Sequence, residues 1–307
     1  MLSGTCRMTH HHHIDPESGD RRMAAAVGVN LLLTVAQVIG GILSGSLAMI
    51  ADALHNFSDA ASLVIAAWAR RIARRPSDAD MTFGYARAEV VAALINLTTL
   101  IVIGLYLIYE ACMRFLQPQE VNGWLVIVIA GVALVVDLAT AALTYSMSRT
   151  SVNIRAAFMH NLADALGSVA VIVAGAVIWI FGWVWVDPVI TLLIAGYILW
   201  MAWSEIGGVI RILMLGSPPQ MVAEAVLETA ESVEGVQALH HAHLWQMDEN
   251  HAALQAHMVI DPGAWGRADA IKQMVKTRLE ERHGLNHVTL EMECAGHSCA
   301  GVKRIGH

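Results

Sequence analysis

His55-Asn56-Phe57-Ser58-Asp59-Ala60 lies inside the apolar run Leu47–Ala69, and the same pattern returns as His160-Asn161-Leu162-Ala163-Asp164-Ala165 inside the run Phe158–Ile180. Runs of this length match the roughly 20 residues that an α-helix needs to cross a bilayer. On a helix, a histidine and an aspartate four residues apart share one face. Two helices marked in this way can bring two imidazoles and two carboxylates to one point, a donor set that suits tetrahedral Zn²⁺.

Outward from these two copies, four more apolar blocks follow the same length rule: Met23–Leu43, Val90–Tyr109, Trp124–Met147 and Pro188–Trp203. The 307 residues are 56% hydrophobic and only 15% charged, with a mean hydropathy of +0.54, which sets the chain apart from soluble globular proteins. Strands of a membrane barrel would be shorter and alternating. The first block is longer than the apolar core of a signal peptide and reads as a retained span. The expectation is therefore an all-α membrane domain of six spans.

Arginines set the orientation. Arg21, Arg22, Arg70, Arg71, Arg74, Arg75, Arg87, Arg149, Arg155 and Arg211 all flank span ends on one side, whereas Ser44–Ser46, Gln117–Gly123 and Gly182–Asp187 contain neither Lys nor Arg. This predicts a multi-pass protein of the cell membrane with both termini in the cytoplasm. Arg114, at an outer helix end, is the exception. A formal net charge of -7 gives no electrostatic case for a nucleic-acid partner. Cys6, Cys112, Cys294 and Cys299 make no disulfide framework, because one falls in a span and the others in segments expected to be reducing.

The chain divides into four parts. Residues 1–22 form a polar tail whose run His10–His13 is either a weak metal-capturing device or incidental. Residues 23–216 hold the spans. At Ser217-Pro218-Pro219 a boundary is expected, with serine capping the next helix and proline in its first turn. Residues 217–294 then read as helix 219–233, strands Val236–Met247 and Ala252–Ile260, helix Arg267–His283 and strand His287–Cys294, an α-β-β-α-β order that gives a small α+β domain. Residues 295–307 lack apolar patterning and are expected to be mobile or held by a metal.

Ionisable groups at the centre of a span cost about 2.5–3.5 kcal/mol each on insertion scales, so they usually serve a site or a pathway. His55, Asp59, His160 and Asp164 are the candidate ligands. Mg²⁺ and Ca²⁺ prefer six or more oxygens, whereas paired imidazoles favour Zn²⁺, Cd²⁺, Co²⁺ or Ni²⁺. Asp52 and Asp137 are either access-path groups or structural carboxylates held by neighbouring helices. In the C-terminal domain, His240, His243, His257, Glu291 and Glu293 alternate on adjacent strands and can converge on one sheet face. Cys294, His297 and Cys299 can add soft ligands. A solvated strand face is the competing reading.

These residues, together with Thr82-Phe83-Gly84-Tyr85-Ala86-Arg87-Ala88-Glu89 ahead of the third span, make the chain resemble the zinc-transporting group of the cation diffusion facilitators. The resemblance implies a homodimeric antiporter that moves Zn²⁺, its substrate, out of the cytoplasm against protons, using His55, Asp59, His160 and Asp164. It also implies a ferredoxin-like cytoplasmic domain that binds regulatory zinc, with His240 and His257 at matching strand positions. Two features depart from the family pattern. Asp78 and Asp80 are present in the loop after the second span, but Tyr85 replaces a further histidine ligand, and Arg87 lacks an acidic partner near Met214. Other classes remain: a metal sensor using the same ligands without flux, or a membrane metalloenzyme. The enzyme reading is disfavoured because no His-Glu-x-x-His motif occurs and four protein ligands leave no open water position.

Overall fold

The structure, a computed structural model, describes residues 16–145, 152–299 and 301–306, with the side chains of residues 16–27, 29, 30, 143–145, 152–157 and 160 outside that description. Cys6 and the run His10–His13 lie outside the described residues. Six long helices cover the apolar part of the chain: α1 (Pro16–Ser44), α2 (Leu47–Ala73), α3 (Arg87–Leu116), α4 (Gly123–Tyr145), α5 (Val152–Phe181) and α6 (Val186–Leu213). Five of them contain one of the six blocks whole, α4 covers its block as far as Tyr145, the last described residue before 152, and most of the added turns lie on the arginine-bearing side. Among the described residues, Arg87–Leu116, Gly123–Ala142, Asn161–Phe181 and Val186–Leu213 are long and apolar enough to cross a membrane. The described apolar part of α1, Leu31–Ser44, is shorter, and α2 carries the polar residues of the first motif. Large apolar side chains such as Leu32, Leu43, Trp200 and Trp203 are exposed, as lipid contact permits.

The described residues form two compact units. The first comprises Met1–Ala61 and Leu100–Leu199. In it, Leu47, Ala51, Leu107, Ala111 and Ala195 join α2, α3 and α6, while Ala48, Met49, Val126, Ala130 and Val171 join α2, α4 and α5. Small residues let these backbones approach closely; a side chain at Gly123 of α4 would collide with the carbonyl oxygen of Gly175 on α5. Because α2 takes part in both clusters, its polar residues are enclosed: Asp52, His55, Asn56 and Ser58 are all buried.

The second unit comprises Ser62–Thr99 and Trp200–His307. Its C-terminal part runs α7 (Ala223–Glu231), β1 (Val236–Gln246), β2 (Ala252–Ile260), a 3-10 turn at Trp265–Arg267, α8 (Ala268–His283) and β3 (His287–Cys294). β1 pairs antiparallel with β2, and β2 pairs parallel with β3. The parallel pair requires a crossover, which α8 supplies. Val226, Leu227 and Ala230 of α7 and Ile271, Val275 and Leu279 of α8 pack on Leu239, Leu254, Met258 and Ile260 of the sheet. The expected α+β order is therefore present, with β2 and β3 at the expected limits.

Two expectations are corrected. Ser217 does not cap α7; that helix begins at Ala223 after Val222, without a side-chain cap. The chain between the helices is taken up by the end of α6, where Leu215 has a positive φ and the Gly216 N–H returns to the Arg211 carbonyl, and by a turn in which Met221 N–H donates to Pro218. Of the two readings of the tail after Ala295, mobile or held by a metal, the mobile one is corrected over the described residues 303–306. His241 and Ala242 donate to the carbonyls of Lys303 and Arg304 at 2.9 and 3.1 Å, Gly306 donates to Ala242 at 3.0 Å, and Arg304 pairs with Glu231 at 2.6 Å. β1 is an edge strand with a bulge between His240 and His243, and its outward backbone groups hold the tail by main-chain bonds that need no apolar pattern.

Candidate metal site and C-terminal histidine cluster

In the first unit, α2 contributes His55 and Asp59 one turn apart, and α5 contributes Asp164. The His55 Nε2 lies 3.7 Å from Asp59 Oδ2 and 3.6 Å from Asp164 Oδ1. One donor atom from each of the three lies within 4.8 Å of the others. These separations are too long for hydrogen bonds. They approach the spacing of about 3.3 Å between ligands held about 2.0–2.1 Å from one tetrahedral metal. His55 and Asp164 are 7% and 9% exposed, so a cation held here would exchange water for protein ligands. His160 belongs to α5, one turn before Asp164, and its side chain lies outside the described residues.

A model of the cation efflux transmembrane domain matches residues 23–214, and a model of the cation efflux protein's cytoplasmic domain matches residues 218–295. The chain belongs to the cation efflux family. The transporter is 37% identical over 267 residues to the "Cadmium, cobalt and zinc/H(+)-K(+) antiporter" of Bacillus subtilis, a match covering 86% of each chain. It is 36% identical to the "Zinc transporter ZitB" of Pectobacterium atrosepticum, covering 92% of this chain and 88% of that one. The protein of the same name in Escherichia coli is 32% identical, covering 95% and 96%. Among solved structures, the metal-bound C-terminal domain of the CzcD transporter from Cupriavidus metallidurans matches at 25% identity and a TM-score of 0.22, covering 24% of this chain and 99% of that one.

Around the transporter's buried site, the other acidic residues are hydrogen bonded to neighbouring helices. Gln37 of α1 donates to Asp52 Oδ2 at 2.7 Å and accepts from Asn56 at 3.2 Å. Ser168 of α5 donates to Asp137 Oδ2 at 3.0 Å. In the second unit, the loop carboxylate of Asp78 closes its own turn, accepting from the N–H groups of Asp80 and Met81 at 3.0 and 2.8 Å and from the Tyr85 hydroxyl at 2.7 Å. The Tyr85 hydrogen bond, with that of Met81, holds the Asp78 carboxyl below its usual range. Among the described residues, neither Asp78 nor Asp80 joins a group of potential metal donors.

Arg87 has partners that side-chain patterning did not reveal. Its Nε donates to the Met247 carbonyl at 2.9 Å and its Nη2 to the Gln246 carbonyl at 3.2 Å. The start of α3 is thereby bonded to the end of β1. Arg87 and Met247 border an apolar cavity of about 700 Å³ lined also by Trp68, Phe83 and Trp245.

On the C-terminal sheet, His240, His257, Glu293 and Cys299 offer donor atoms within 4.8 Å of one another. His257 Nδ1 lies 2.6 Å from Glu293 Oε1, His240 Nε2 lies 3.3 Å from Glu293 Oε2, and the Cys299 thiol donates to Glu293 Oε1 at 3.3 Å. Burial alone would raise the Glu293 carboxyl, but hydrogen bonds from His257 and Cys299 hold it below its usual range. The same bond to Glu293 pushes the Cys299 thiol up. Glu291 reaches His257 Nε2 at 3.4 Å from the exposed side. Cys294 pairs separately with His297 at 3.1 Å, so the three tail donors do not act as one set. His243 is not brought into the group. The β1 bulge takes it past the register of His257, and its ring meets that of His241. His241, with a positive φ in the bulge, stacks on His257 at 4.9 Å; alternation along a strand could not have revealed that contact.

Proposed function

We propose that this protein exports Zn²⁺, and also Cd²⁺ or Co²⁺, from the cytoplasm in exchange for protons, through a transport site made by His55, Asp59, His160 and Asp164. The observation that carries the reading is the convergence of His55 and Asp59 from α2 with Asp164 from α5 at co-ligand spacing inside an apolar domain. The names of the similar proteins from Bacillus subtilis and Pectobacterium atrosepticum support the choice of cargo, and that of the Bacillus protein supports protons as counter-ion. An imidazole nitrogen that holds a metal cannot hold a proton, so metal and proton compete for the same ligands. A site opened alternately to each side then exchanges one for the other.

Residues 23–216 are read as the transport domain and 217–294 as a cytoplasmic domain, in a homodimer of the cell membrane with both termini inside. His240, His257, Glu293 and Cys299 are read as a regulatory zinc site, since imidazole, carboxylate and thiolate are all zinc ligands. Counterflow in proteoliposomes tests the proposal. Zinc accumulation driven by an imposed pH gradient and abolished by collapsing that gradient is the expected result. Flux indifferent to the gradient would mean uniport, and binding without flux would mean a sensor.

A further inference from the structure

We infer that Asp187 and Arg114 are positioning residues of the transport site: they hold α2 by its first turn, and through that helix set where His55 and Asp59 stand against Asp164. The inference rests on the transport-site reading above. The first N–H groups of a helix have no partners within it. On α2, Leu47 and Ala48 donate to the two carboxylate oxygens of Asp187 at 2.8 and 3.3 Å, and Met49 donates to Ser46 Oγ at 3.1 Å. The Ser46 hydroxyl in turn donates to Asp187 Oδ1 at 2.5 Å. The cap of α2 is thus supplied largely by α6.

Arg114 of α3 closes the arrangement. Its Nη1 donates to the Gly45 carbonyl and lies 3.4 Å from Asp187 Oδ2, while its Nε faces Glu110 one turn back at 3.7 Å. Asp187 is 1% exposed. A buried carboxylate that loses its partners is strongly disfavoured in an apolar surrounding. Sliding α2 along its axis would break the Leu47, Ala48 and Ser46 bonds together, so the helix has one favoured height. His55 follows Leu47 by eight residues, about 12 Å of helix, and a displacement of the first turn is carried to it. The one arginine that breaks the charge asymmetry of the loops therefore has a local reason to be there.

Co²⁺ is the probe, in the full-length protein carrying His240→Ala and His257→Ala so that the cytoplasmic cluster does not contribute. In this background Asp187→Asn and Arg114→Gln are expected to weaken Co²⁺ binding about tenfold and to alter its visible d–d spectrum, which reports ligand geometry. Size-exclusion behaviour should stay that of the parent; should Asp187→Asn fail to fold, Arg114→Gln and Ser46→Ala carry the measurement. A lower melting temperature with unchanged Co²⁺ affinity and spectrum would make these residues a structural cap only and overturn the inference. Asp164→Ala in the same background distinguishes the two levels. If it leaves the Co²⁺ spectrum intact, the transport-site reading itself fails, and the positioning role with it.

Discussion

Replacing Asp164 by alanine removes one of the three described donors from a site 9% exposed at that residue and 7% at His55. Four-ligand zinc sites bind with about 10–16 kcal/mol at neutral pH, so one ligand accounts for about 3 kcal/mol, or about a hundredfold in affinity. Among the described residues, the donor group then keeps only His55 and Asp59. Zinc affinity should be measured by dye competition on purified protein with His240 and His257 replaced, and flux by uptake into proteoliposomes. The expected outcome is a dissociation constant raised about a hundredfold and flux near background. Asp137→Ala is the control, since Asp137 is as buried, at 7%, yet is bonded to Ser168 and stands outside the donor group. If Asp164→Ala and Asp137→Ala weaken zinc equally, or if Asp164→Ala stays within twofold of the parent, the ligand assignment is wrong.

Three further outcomes are expected. Cys299→Ser should lower the zinc bound per full-length chain or weaken the component of a calorimetric titration that belongs to the C-terminal domain, and an unchanged isotherm would remove the thiol from the ligand set. Gly235→Ala places a side chain at φ +96° against Ile271; at about 1–2 kcal/mol for that backbone region, hydrogen exchange of amides at the sheet's end such as Asp261, which follows β2 and donates to Gly235, should accelerate about five- to thirtyfold. For Asp248, burial alone raises the carboxyl, but bonds from Asn250 N–H, the His251 ring and His251 N–H together lower it. A lowered folded-state pKa stabilises above the unfolded value and is lost as pH falls through the folded value. Asp248→Asn should therefore speed exchange of the β1–β2 turn amides at pH 7, with a difference from the parent that shrinks below about pH 4; a difference constant with pH would contradict this.

How far the sequence reached differs from residue to residue. The pairing of His55 with Asp59 needed only the helical period. Their meeting with Asp164 needed α2 and α5 to be neighbours, and that depends on packing at Met49, Val126 and Val171. Cys299 and Cys294 looked like members of one cluster, but the turn in which His297 N–H donates to the Cys294 carbonyl sends them to different partners. Arg87 seemed to lack a partner because only side chains can be searched for by residue type, whereas its acceptors are the carbonyls of Gln246 and Met247. The docked tail escaped notice for the same reason.

By itself, the sequence determined the six apolar helices, the α-β-β-α-β order after them and the one-turn spacing of histidine and aspartate, because apolar periodicity and i to i+4 geometry are local properties of the backbone. Only the tertiary structure decided which donors meet at co-ligand distance, that a bulge separates His243 from His240, and that Asp187 caps a helix 140 residues away in the chain. Such meetings depend on how closely small residues let helices approach and on where buried polar groups find partners, and neither quantity is written in the order of residues along one segment.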